Sequence, residues 1–146
     1  DLVLADLRPE DSALLILPGA EAWLTGGNTE FTAMAKAFLD ADVPVAAICG
    51  ATGGLAAAGL LDDRRHTSNA PEFLQALGYC GAAHYVDAPA VTDRGVVTAT
   101  ATAPADFARE IFSLLDLYEP AVLAAWYKLY GQQDPAGYHD LMSAIA

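Results

Sequence analysis

Basic residues are scarce in this sequence: 7 Lys+Arg stand against 19 Asp+Glu, a formal charge of -12 over 146 residues. That balance excludes a nucleic-acid surface and a dock on anionic membranes, because both need a positive face. Cysteine is rarer still. Two thiols, Cys49 and Cys80, make no disulfide framework and predict a reducing, cytoplasmic setting. The histidines His66, His84 and His139 lie apart, and none pairs with Cys or Glu at ligand spacing. No metal site and no other cofactor is therefore predicted. No apolar run reaches membrane-spanning length. The opening Asp1-Leu2-Val3-Leu4-Ala5-Asp6 is acidic where a secretory leader is basic. Internal repeats and low-complexity tracts are missing as well.

What is present is a core. Hydrophobic residues make up 54% and charged residues 18%, the balance of one globular domain over residues 1–146. Residues 12–18 form a short apolar run stopped by Pro18-Gly19, which predicts a buried strand and a loop. Asn28 stands where it can cap a helix, with Phe31, Met34, Ala35, Phe38 and Leu39 following at helical spacing. Residues 43–48 predict a second buried strand. Cys49-Gly50-Ala51-Thr52-Gly53-Gly54 predicts a tight turn, and residues 55–61 a helix. Residues 64–68 read as a short extended piece and 70–77 as a helix. Residues 85–91 and 95–102 read as strands around Asp93-Arg94-Gly95. Three helices follow, over 105–117, 121–130 and 136–145. Strands alternating with helices mean an α/β layered domain with a mostly parallel sheet. Ligands of such sheets bind beyond the carboxyl ends of the strands, where Pro18-Gly19 and Cys49-Gly50 both fall.

Cys49 is the candidate nucleophile. A residue between a strand and a helix N-terminus sits on a sharp turn, facing free backbone N–H groups and a positive dipole end. Both favour a thiolate, the reactive form. The N–H of Gly50 is one candidate oxyanion donor, and Gly19 or Ala20 across the crevice offers a second. The competing use of Cys49 is as a small buried hydrophobe. Gly50, Gly53 and Gly54 lack the spacing of a phosphate-binding fingerprint, and no Lys follows them.

The run Ala46-Ala47-Ile48-Cys49-Gly50-Ala51, followed by Leu55-Ala56 and residues 58–64, resembles the ThiJ/PfpI family of the class I glutamine-amidotransferase-like superfamily. Leu15-Ile16-Leu17-Pro18-Gly19, Val96-Val97-Thr98-Ala99 and Thr102-Ala103-Pro104 add to the likeness. His66-Thr67-Ser68-Asn69 and Ala125-Trp126-Tyr127 resemble its branch labelled type 1 glutamine amidotransferase. The resemblance implies a flavodoxin-like three-layer sandwich and a cytoplasmic homodimer with one reactive elbow cysteine. It implies a cysteine-dependent hydrolase, amidase or glyoxalase-type enzyme acting on a small molecule. The alternative is an oxidative-stress sensor or chaperone-like dimer using the same thiol without turnover. It also implies a strand, a helix and a further strand ahead of this segment, with an acidic residue that touches the cysteine. That portion is expected to be absent here.

Two further departures bear on mechanism. Gly50 stands where many members carry a His directly after the cysteine, and Asn69 stands where others carry one after the elbow helix. His66 lies three residues earlier, on the opposite face of an extended segment, and reaches Cys49 only if the segment bends. Asn69 is read first as a cap for the next helix, with orienting a water or substrate carbonyl as its other use. No His-x-Glu occurs, which disfavours glutamine hydrolysis in the strict sense. Cys80, His84, Asp87 and Asp93 read as bystanders. Glu21 and Trp23 follow the loop and reach the crevice rim or, for Trp23 more often, simply pack; Thr102 and Pro104 stand near the pocket or open a helix, and Trp126, Tyr127 and Tyr130 read as core or dimer packing.

Overall fold

In the computed structural model, which describes residues 2–146, the chain forms a four-stranded sheet between helices. The strands are β1 (Leu15–Leu17), β2 (Val45–Ile48), β3 (Ala90–Asp93) and β4 (Val96–Ala99), in the order β1-β2-β4-β3. β2 pairs parallel with β1 and with β4, while β3 closes on β4 as an antiparallel hairpin. Arg94 and Gly95 take φ of 43° and 77° at the hairpin tip, the left-handed pair that a two-residue turn requires.

Side-chain alternation along β2 builds two cores. Val45 and Ala47 face α1 (Thr29–Asp40) and α2 (Gly50–Ala57), with Leu17, Trp23, Phe38 and Leu55. Ala46 and Ile48 face α4 (Pro104–Leu114), whose Phe107 and Ile111 fill the other side. This is the α/β sandwich with a mostly parallel sheet that the residue pattern predicts. α3 (Pro71–Gln75) packs on α2 with Phe73 beside Gly53, and α5 (Pro120–Tyr130) and α6 (Ala136–Ala144) form a hairpin beside α4. Trp126 packs edge-on against Phe112 of α4, and Tyr127 donates to Asp106 beneath the Arg109 guanidinium. All three aromatics therefore pack, although Tyr130, its ring 5.5 Å from that of Trp126, is itself largely exposed.

Several local expectations are corrected. The glycine run after Cys49 is not a turn before a helix; it is the first half of α2. Glycine costs a helix about 1 kcal/mol per residue, yet here it admits close neighbours. A Cβ on Gly54 would overlap the Trp23 ring, and one on Gly53 would lie 2.8 Å from Phe73. Asn28 precedes α1 with φ 62° and makes no side-chain cap; its carbonyl accepts from Phe31 and Thr32 instead. Residue 70, not Asn69, takes the N-cap position of α3. Residues 64–68 join no strand and touch the neighbouring segment through one parallel bridge, His66 to Tyr85. The strand expected over 85–91 is regular only from Ala90.

His66 is fully buried. Its Nδ1 lies 2.7 Å from the Arg64 carbonyl, which can only accept, so Nδ1 carries the proton. Neutral Nε2 then accepts from the Tyr79 hydroxyl at 3.2 Å. Tyr79 and Tyr85 meet the ring edge-on. Burial pushes its pKa below the ordinary 6.5, against the opposing hydrogen bond to Arg64; His84 lowers it further and Asp62 raises it. The folded state thus binds fewer protons than the unfolded one. His66 contributes full stability above its ordinary pKa and loses it as pH falls through that value. Chemical denaturation at pH 7.5 and pH 5.5 (both about a unit from the ordinary pKa) checks this. His66→Gln is expected to lose less stability across that window than wild type.

The α5–α6 contact gives a second expectation. A Cβ on Gly137 would stand 2.5 Å from the Leu129 backbone nitrogen and 2.9 Å from its Cα. Gly137→Ala is expected to lower stability by roughly 1–3 kcal/mol in urea unfolding. An unchanged midpoint would mean that the helices part freely.

Candidate active site

β2 ends at Ile48 and α2 begins at Gly50, so one residue, Cys49, makes the whole turn. It does so with φ 60° and ψ -129°, a conformation that costs an L-residue about 1–3 kcal/mol. Three contacts hold it there. Its N–H donates to Ala99 O of β4 at 3.0 Å. Its carbonyl accepts from the Thr52 N–H at 3.2 Å and from the Thr52 hydroxyl at 2.6 Å. Its sulfur receives Asn69 Nδ2 at 3.5 Å. The side chain is half-buried and the thiol is free.

The loop after β1 closes over this elbow. A Cβ on Gly19 would lie 2.7 Å from Cys49 Cβ and 3.1 Å from Sγ, so only glycine leaves room for the sulfur. A Cβ on Gly50 would lie 3.0 Å from Ala20 O. Trp23 ties the loop down by donating from Nε1 to Pro18 O at 3.0 Å. It is a buried packing residue, whereas Glu21 is exposed. The structure thus brings Gly19, Ala20, Cys49 and Gly50 to one sheet edge. Among the described residues, the N–H groups of Gly19, Ala20 and Gly50 have no backbone acceptor.

Asn69 reaches this edge from the other side. Its Oδ1 accepts from the Ala101 N–H at 2.9 Å, which fixes the orientation of the amide. The NH2 group therefore faces Cys49 Sγ, as a donor that cannot take a proton. His66 is not brought to the site: its ring nitrogens bond to Arg64 O and Tyr79 OH. Among the described residues, no histidine or carboxylate hydrogen-bonds to Sγ. Nor does any group of His, Cys, Asp and Glu among them match a metal site. Cys80 is exposed, with its N–H on Asp62. Thr102 is exposed and hydrogen-bonded to Thr100, and Pro104 opens α4. No helix among the described residues is long and apolar enough to cross a membrane.

Residue-by-residue reading missed Thr52 and Ser68. Both are buried hydroxyls, 2.7 Å apart, and the Thr52 hydroxyl bonds to the elbow carbonyl. The available signal was Thr52 at three residues past Cys49, the spacing at which a helical hydroxyl reaches back to a carbonyl.

Known proteins share this arrangement of elements. The family model of the DJ-1/PfpI family matches residues 1–114. The uncharacterized protease YoaZ of Bacillus subtilis is 37% identical over 147 aligned positions, covering 99% of this chain and 70% of that protein. The uncharacterized protease YdeA of the same organism is 33% identical over 78% of this chain and 58% of its own length. A ThiJ/PfpI family protein of Bacillus anthracis superposes with a TM-score of 0.85 at 38% identity, over 90% of this chain and 63% of that one. A DJ-1 superfamily protein of Agrobacterium tumefaciens gives 0.79 at 39%, over 89% and 70%. The chain thus spans 58% to 70% of the length of these relatives. Family match, sequence identity and superposition agree with the strand-elbow-helix built around Cys49: the chain belongs to the DJ-1/PfpI family.

Proposed function

We propose that this chain is a cysteine-dependent hydrolase of small acyl or amide substrates, with Cys49 as the nucleophile. The observation that carries this reading is the backbone of Cys49, held at φ 60° on a one-residue elbow under Gly19. Strain of this kind persists where function uses it. Sγ stands at the start of α2, the end of a helix where an anion developing on substrate is favoured.

In the reaction, Cys49 loses its proton to solvent and Sγ attacks the substrate carbonyl carbon, so that the C=O π pair moves onto oxygen. The N–H groups of Gly50 and of Gly19 or Ala20 are the donors for that oxyanion. Collapse breaks the bond to the alcohol or amine, which takes a proton from water, and a second water hydrolyses the thioester to free acid and thiol. Asn69 holds the sulfur in line through its Nδ2 and takes no proton. The protease names of the two curated relatives support the hydrolytic class over a glyoxalase-type reaction.

A second reading uses the same atoms. Oxidation of Sγ to sulfenic or sulfinic acid yields oxygens that accept hydrogen bonds, and Asn69 Nδ2 already points at the sulfur. Graded peroxide followed by peptide mass analysis separates the two, since a sensor accumulates oxidised Cys49 under oxidant too mild to modify exposed Cys80.

Turnover of a panel of small esters, amides and 2-oxoaldehydes tests the hydrolase reading. Cys49→Ser is expected to lose about 1,000-fold or more on the best substrate, while Cys80→Ser keeps wild-type rates. A Cys49→Ser protein with full activity would sink it. Gly19→Ala pushes a methyl into the space of Sγ. It is expected to cost roughly 100-fold in rate, the effect of a misplaced reacting group, and to lower the unfolding midpoint as well, since the new methyl would stand 2.7 Å from Cys49 Cβ.

A further inference from the structure

Two buried hydroxyls outside the elbow remain to be explained. Thr52 is 0% and Ser68 is 1% exposed. Their oxygens lie 2.7 Å apart although sixteen residues separate them in sequence. Other threonine hydroxyls here, such as those of Thr25 and Thr32, also bond to the carbonyl three residues back. Those are exposed and carry no second partner. Thr52 differs on both counts.

The chemistry sets the direction of the bonds. The Cys49 carbonyl can only accept, so the single hydroxyl proton of Thr52 is committed to it at 2.6 Å. Thr52 Oγ1 must then accept from Ser68, whose proton points toward α2. The chain runs Ser68 O–H to Thr52 O–H to Cys49 C=O. It fills the donor capacity of both hydroxyls and leaves neither available to a substrate.

The next residue after Ser68 is Asn69, whose amide rests on Cys49 Sγ. The elbow and the 67–69 segment are therefore joined twice, at the carbonyl through Thr52–Ser68 and at the sulfur through Asn69. The segment is anchored behind as well. The Thr67 N–H donates to Thr98 Oγ1 at 2.9 Å, and Thr67 Oγ1 donates to Ala88 O at 2.8 Å. The Tyr85 hydroxyl donates to Ser68 O at 3.4 Å.

We infer that Thr52 and Ser68 are positioning residues for Cys49. Their hydroxyl chain sets the orientation of the elbow carbonyl and registers the Asn69 amide against the sulfur. They touch neither sulfur nor substrate and act through residues 49 and 69. This inference rests on Cys49 being the reactive group of the proposed function.

The test is the alkylation rate of Cys49 by iodoacetamide over a range of pH, read at peptide level with exposed Cys80 as internal reference. Wild type is expected to alkylate faster at Cys49 than at Cys80. Thr52→Val and Ser68→Ala are each expected to lower that ratio about 2- to 10-fold, the range one hydrogen bond commands. Thr52→Ser is expected to restore it. Because part of the Ser68 effect passes through Asn69, Ser68→Ala is expected to lower the ratio less in an Asn69→Ala background than in wild type. Unfolding midpoints are measured alongside. A lowered midpoint with an unchanged Cys49-to-Cys80 ratio overturns the inference, since the hydroxyls are then merely structural. Full additivity of Ser68→Ala with Asn69→Ala overturns it too. If Thr52→Val fails to fold, the Ser68→Ala and Asn69→Ala pair decides alone. A wild-type ratio at or below one overturns the reactive-cysteine reading instead, and shows itself before any variant is made.

Discussion

The C-terminal edge of the sheet depends on one backbone conformation, the φ of 60° and ψ of -129° at Cys49. A single residue turns the chain from β2 into α2, and every neighbour is arranged to make that possible. Ala99 takes its N–H, Thr52 takes its carbonyl, and Gly19, having no side chain, leaves the sulfur somewhere to lie. A conformation costing about 1–3 kcal/mol persists only when its surroundings over-determine it. Here the surroundings come from three parts of the chain that are far apart in sequence.

The glycines of α2 belong to the same constraint. An ordinary helix at this position would stand off from its neighbours by a side chain. With Gly53 and Gly54 against Phe73 and Trp23, α2 packs close, and Trp23 in turn tethers the Pro18 loop above the elbow. The weak intrinsic helicity of this stretch is offset by burial, since all residues from Gly50 to Ala56 are buried. The site's geometry and the core's packing are therefore one structure.

The segment between α2 and α3 shows how polar groups are used when no strand carries them. His66, Thr67 and Ser68 are buried without joining the sheet, so each needs its own partner. Tyr79, Thr98, Ala88 and Thr52 supply them. With three consecutive residues pinned in this way, Asn69 is left exposed at the end of a rigid arm and directed at Cys49 Sγ.

Residue order alone determined the α/β alternation, both inner strands, the hairpin turn at Arg94-Gly95 and the elbow at Cys49. Each rests on local chemistry: apolar runs of strand length, a turn that demands positive φ, and a small-residue stretch after a strand. Residue order pointed also to Gly19, Ala20 and Gly50, because loops at strand ends converge in a parallel sheet. Tertiary structure alone decided what Asn69, His66, Thr52 and Ser68 do. A local reading makes Asn69 a cap and turns His66 to the opposite face, reaching the thiol only if the segment bends. The fold instead places His66 between two tyrosines and aims the Asn69 amide at the sulfur through Ala101. For Asn69, Thr52 and Ser68 those outcomes hang on hydrogen bonds between residues sixteen to thirty-two positions apart, and for His66 on Tyr79, thirteen positions away. Side-chain partners at such distances depend on how the layers pack, and no periodicity along the chain records them.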